Sequence, residues 1–130
     1  MPHDPLIAVV NDDTAFLNMM NELLSDEGYR TVIWREGEGA YDLVCQHRPS
    51  LVILDIRMEH PGTGWHVLEL LRLDPETASI PVIVCSADSR LLRAKQDRLQ
   101  SLNCQTLEKP FDLDELLAMV RLALGQDPQD

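Results

Sequence analysis

Five side chains in this sequence carry groups that could act together: the adjacent carboxylates of Asp12 and Asp13, the carboxylate of Asp55, the hydroxyl of Ser86 and the ammonium of Lys109. Four of the five apolar segments of the chain end at these residues. Taken singly, each has an ordinary structural use. Asp55 suits a loop, Asp12 or Asp13 the N-cap of a following helix, Ser86 a turn and Lys109 an exposed cation. All five falling at segment ends is a pattern that chance placement does not favour. Three carboxylates meeting in one crevice repel each other and raise their pKa values unless a hard divalent cation such as Mg2+ accepts their oxygens. A metal is the natural resolution.

The segments that must position these groups are short, rich in Val and Ile, and bounded by turn or charged residues, as buried strands are. They are Leu6–Val10, Val32–Trp34, Leu51–Leu54 and Ile80–Cys85, with a fifth strand placed by position between Cys104 and Glu108. Helical patterns lie between them. Phe16, Leu17, Met20, Leu23 and Leu24 repeat at helical spacing before Gly28 stops the helix. Ala40–His47 forms a second helix, and Trp65–Leu73 a third, with Val67, Leu70 and Leu71 on one face and Asp74-Pro75 at its end. Ser89–Leu102 is expected to be a fourth, with Arg90, Arg93, Lys95 and Arg98 exposed. The last begins at Asp112, whose carboxylate caps it with Glu115 three residues on; Leu113, Leu116, Leu117, Val120 and Leu124 form its buried face and Gly125 ends it.

Strand and helix thus alternate five times, which implies an α/β fold: a doubly wound parallel sheet with right-handed crossovers and five helices on its two faces. The segments at 6–10, 51–54 and 80–85 are apolar throughout, whereas those at 30–34 and 104–108 carry polar residues. Placing the mixed strands at the edges gives the flavodoxin-like order 2-1-3-4-5. In such a sheet ligands bind beyond the carboxyl ends of the strands, where the five reactive residues lie.

Composition narrows the function classes. With 130 residues, 45% of them hydrophobic and 25% charged, the chain is expected to be one globular domain with its core between about residues 5 and 124. Its net charge of −11 opposes direct binding to nucleic acid or anionic lipid. Three cysteines without a C-x-x-C pair suggest neither a disulfide framework nor a zinc site, and reduced thiols fit a cytoplasmic protein. No apolar run reaches the length of a membrane span, and the N-terminus does not resemble a signal peptide.

Val10-Asn11-Asp12-Asp13, the run from Leu51 to Met58 around Asp55, Ile80 to Ala87, and Glu108-Lys109-Pro110-Phe111 together resemble response-regulator receiver domains of two-component systems, over roughly residues 5 to 124. The resemblance implies that Asp55 is the phosphoacceptor. It implies Asp13 as a direct ligand of Mg2+, Asp12 as a water-mediated one, and Asp55 and the Arg57 carbonyl as further ligands. Lys109 would pair with phosphoryl oxygens, Ser86 would donate its hydroxyl to them in the active state, and Lys109-Pro110 would be a cis peptide. The donor would be a histidine kinase or a histidine phosphotransfer protein. The domain would catalyse its own phosphorylation and dephosphorylation rather than turn over a free substrate.

The pattern is not followed everywhere. Thr106 stands three residues before Lys109, where the family usually carries an aromatic switch. The loop from Arg57 to Gly64 is one residue longer than the commonest form. His60 and His66 read as surface residues, since Mg2+ prefers oxygen, and Trp34 and Trp65 as packing or partner-contact groups. Met119 and Leu122 lie off the expected core stripe and suggest a homodimer or effector patch on the face of the fourth helix, fifth strand and last helix. Arg57 and Asp88, two residues past Asp55 and Ser86, suggest a charged latch that slows hydrolysis of the phosphorylated form. Two other readings compete. A Mg2+-dependent phosphohydrolase generally needs a second acid two residues after the nucleophile, where this chain has Arg57, and a protein-binding pseudo-receiver would not need the full acidic set.

Overall fold

The computed structural model describes residues 5–56, 63–109 and 111–125. Five parallel strands, β1 (Leu6–Val10), β2 (Arg30–Trp34), β3 (Leu51–Asp55), β4 (Val82–Ser86) and β5 (Cys104–Glu108), form one sheet of order β2-β1-β3-β4-β5. Alternation along the strands divides the core into two layers. Ala8, Val10, Val52, Leu54, Val82 and Val84 face one layer; Ile7, Val9, Leu51, Ile53, Ile83 and Cys85 face the other. β3 and β4 are buried at every position, whereas β2 is half-exposed and β5 buries only Leu107. The polar strands therefore lie at the edges, where one side of the ladder needs no partner.

Helices α1 (Thr14–Asp26) and α6 (Leu113–Ala123) cover the Ile7 layer. Helices α2 (Ala40–His47), α3 (Thr63–Leu73), α4 (Ser89–Ala94) and α5 (Gln96–Ser101) cover the other. The fourth helical segment is thus two short helices, not one, so the described residues hold six. Leu92 and Leu99 are its buried residues. A continuous helix would have to present position 95 or 96 to the core between them. These are Lys95 and Gln96, both exposed, and the chain turns at Lys95 instead.

Other expectations shift as well. β4 begins at Val82 rather than Ile80, because Pro81 has no N–H to give the ladder; its carbonyl instead accepts from the Val52 amide at 3.0 Å. Asp112 occupies the N-cap of α6 but makes no side-chain capping bond, and Leu113 is 44% exposed while Phe111 packs on that layer. Met119 also packs partly on the core, so of the two residues expected to form a patch only Leu122, 58% exposed, lies on the outside of α6. No helix among the described residues is long and apolar enough to cross a membrane, and Cys45, Cys85 and Cys104 are free thiols.

Candidate functional site

Parallel pairing brings the strand ends into line: Asp55 ends β3 beside Cys85, and Ser86 ends β4 beside Glu108. The Lys109 amide continues the ladder by donating to the Ser86 carbonyl at 2.9 Å. Asp55, Ser86 and Lys109 therefore share a cleft of about 320 Å³, together with Ala87 and Asp88. Asp55 is only 8% exposed, and its Oδ2 accepts from Lys109 Nζ at 3.2 Å. A carboxylate this deep keeps its charge cheaply only beside a cation, and Lys109 supplies one.

The Ser86 hydroxyl is buried and accepts from the Asp88 amide at 3.0 Å. Asp88 in turn caps α4, its Oδ1 accepting from the Leu91 amide at 3.0 Å. The loop after β4 is thereby tied to the cleft at one end and to a helix at the other. Behind these groups, burial pushes the Cys85 thiol up to about 12; the Lys109 charge opposes that shift and Asp55 adds to it. Cys85 is a packing residue, not a nucleophile.

Asp12 and Asp13 follow β1, the neighbour of β3. Both are exposed, and neither lines the cleft. Asp13 is the N-cap of α1, with Oδ1 accepting from the amides of Ala15 at 3.0 Å and Phe16 at 3.3 Å. Its structural use is therefore real, whatever else its second oxygen does. No three His, Cys, Asp or Glu side chains gather as a metal cage among the described residues. Arg57, His60 and the rest of residues 57–62, Pro110 with its peptide bond to Lys109, and the tail from Gln126 lie outside the described residues. Thr106 is exposed on β5, and Trp34 and Trp65 pack against the core, one of the two uses expected of them.

Three residues near the cleft were given no role at the site by the sequence reading. Asn11, 1% exposed, accepts from the Asp13 amide through Oδ1 at 2.9 Å, while its Nδ2 finds no acceptor among the described residues. Gly64 packs on the backbone of Ile56. Phe16 lies under Lys109, its ring centroid 4.2 Å from Nζ. Gly64 carried a sequence signal, a glycine at the start of a helical pattern, and Asn11 stood in the Val10-Asn11-Asp12-Asp13 motif.

A doubly wound sheet of this order, with a polar cleft beyond the carboxyl ends of its central strands, defines the flavodoxin-like class of α/β domain. The sequence model of the response regulator receiver domain matches residues 7–121, and the chain belongs to that family, the receivers of two-component signalling. It is 28% identical to the polar-differentiation response regulator DivK of Brucella anthropi over 120 residues, covering 92% of this chain and 95% of that one. The receiver domain of the Francisella response regulator 1452 superposes with a TM-score of 0.81 at 27% identity, over 94% of this chain and 98% of that one. The receiver domain of the Pseudomonas aeruginosa sensor histidine kinase PA1611 superposes equally well at 20% identity, over 95% and 100% of the two chains; that structure has a magnesium ion coordinated in its active site cleft.

Proposed function

We propose that this receiver domain accepts a phosphoryl group on Asp55 from a phosphohistidine of a histidine kinase or phosphotransfer protein. The observation that carries the reading is the contact between Lys109 Nζ and Asp55 Oδ2 in a cleft shared with Ser86. An Asp55 oxygen attacks phosphorus, the new O–P bond forms as the P–N bond to the donor imidazole breaks, and the imidazole takes up a proton. Lys109 then faces an equatorial phosphoryl oxygen. The Ser86 hydroxyl, which accepts from Asp88, rotates to donate to another.

Oxygen donors of this kind suit Mg2+, which is satisfied with one or two carboxylates and several waters and needs no closed protein cage. Asp12, Asp13, Asp55 and the Arg57 carbonyl are the groups proposed to hold it. The Asp13 oxygen outside the α1 cap is the one suited to do so. When bound, the cation offsets charge on the phosphoryl oxygens. The domain acts in the cytoplasm on this reading, and its signal leaves through the face of α4, β5 and α6 toward an effector or a second copy. Incubation with acetyl phosphate and Mg2+ should add one phosphoryl group to the wild type and none to Asp55→Asn, as read by intact-protein mass. Equal labelling of the variant would overturn the assignment. Sedimentation of wild type and Leu122→Glu, with and without a phosphoryl mimic, tests the output face; identical behaviour in all four samples removes a self-association role.

A further inference from the structure

Lysine is a compact charge on a flexible four-carbon stem, so its position in a cleft depends on what the ammonium touches. Among the described residues the Lys109 ammonium meets two different groups. One is the Asp55 carboxylate at 3.2 Å; the other is the Phe16 ring, with its centroid 4.2 Å from Nζ. That distance is well inside the roughly 6 Å at which a ring face attracts a cation. The Lys109 side chain is only 21% exposed, which limits the water that would weaken the attraction.

The ring is itself held. Phe16 is in the first turn of α1, where its amide donates to the Asp13 carboxylate. Its ring meets Phe111 edge-on, with centroids 6.4 Å apart and planes at 90°, and both rings pack on the α1–α6 layer. We infer that Phe16 is a positioning residue: its ring fixes the Lys109 ammonium over the cleft through a contact that does not depend on the charge of Asp55. This rests on the reading of Asp55 as the phosphoacceptor. Transfer to Asp55 alters the carboxylate that Lys109 pairs with, and an ammonium anchored by that carboxylate alone would lose its anchor at the same moment. A ring neither titrates nor accepts the phosphoryl group, so it holds the ammonium in both states.

The test compares wild type, Phe16→Leu and Phe16→Tyr in three measurements. The ε-proton resonances of Lys109 should be shifted upfield by the ring in wild type and Phe16→Tyr, and return toward the free-lysine position in Phe16→Leu. The initial rate of labelling by acetyl phosphate in saturating Mg2+ should fall about three- to tenfold in Phe16→Leu, the range expected for losing a partly desolvated cation–π contact, and recover in Phe16→Tyr. Thermal melts identify a merely structural effect. Unshifted Lys109 resonances in the wild type, a wild-type rate in Phe16→Leu, or equal losses of rate and stability in both variants would overturn the inference. If the wild type is not labelled at all, the phosphoacceptor reading fails, and the Lys109 resonances still decide whether Phe16 holds the ammonium.

Discussion

Gly64, in the first turn of α3, lies against Ile56, the residue after Asp55, so closely that a Cβ at Gly64 would stand 2.4 Å from the Ile56 carbonyl oxygen and 2.7 Å from its Cα. Both are backbone atoms, which cannot swing aside as a side chain would. Gly64→Ala must therefore move either α3 or the end of β3. Overpacking of this kind typically costs about 1 to 3 kcal/mol. The expected result is a loss of that size in urea denaturation, with slower labelling of Asp55 because its backbone shifts. Wild-type stability and rate would show that α3 lifts away freely.

Alkaline and acid stability should follow from the Cys85 thiol and from the Tyr41–Asp74 pair. Burial holds the Cys85 thiol at about 12 against its ordinary 9.0, so the unfolded chain gives up this proton first. Its contribution is complete below pH 9 and is lost between about 9 and 12, at a slope of at most about 1.4 kcal/mol per pH unit. The Tyr41 phenol is also raised, chiefly by its hydrogen bond to Asp74, and the same bond lowers the Asp74 carboxyl. Asp74 therefore contributes stability above its ordinary 3.8 that is lost as the pH falls through its lower folded value. Urea melts at stepped pH should show Cys85→Ala flattening the alkaline limb alone and Tyr41→Phe flattening both limbs.

Asn11 lies one residue past the paired positions Val10 and Leu54, which places it beside Asp55 across the β1–β3 ladder. Asn11→Asp keeps its shape and replaces an amide that has no acceptor among the described residues with a second buried carboxylate. Without divalent cation the variant should be less stable, by about 1.4 kcal/mol for each unit by which the pair raises a carboxyl pKa. With Mg2+ the deficit should shrink and the cation should bind more tightly. Melting temperatures across a Mg2+ titration check this; a deficit independent of Mg2+ would separate Asn11 from any cation site.

The proposed pairing of Arg57 with Asp88 can be tested only with the capping role of Asp88 respected. Asp88→Ala would remove the α4 cap, a loss of about 0.5 to 2 kcal/mol, and confuse kinetics with stability. Asp88→Asn keeps a capping oxygen and removes the charge. Arg57→Asn and Asp88→Asn should each speed dephosphorylation, with a double variant no faster than the quicker single one. Unchanged or simply additive rates eliminate a coupled pair.

The layering of this protein was legible in its residues because period-2 and period-3.6 patterns report burial directly. Runs such as Leu51–Leu54 can only be central strands, and polar Thr106 or Arg30 can only be tolerated at an edge. The placement of Asp55, Ser86 and Lys109 at strand ends was legible for the same reason. What the sequence left undecided were relations between residues far apart in the chain. Helical periodicity does not say that the segment after Ser89 breaks at Lys95, since the break depends on where Leu92 and Leu99 meet the sheet. Nor does any spacing join Phe16 to Lys109, or Gly64 to Ile56. Those contacts arise when parallel strands bring their carboxyl ends to one edge and the helices that follow them close over it, a geometry set by packing of the whole sheet rather than by local preference.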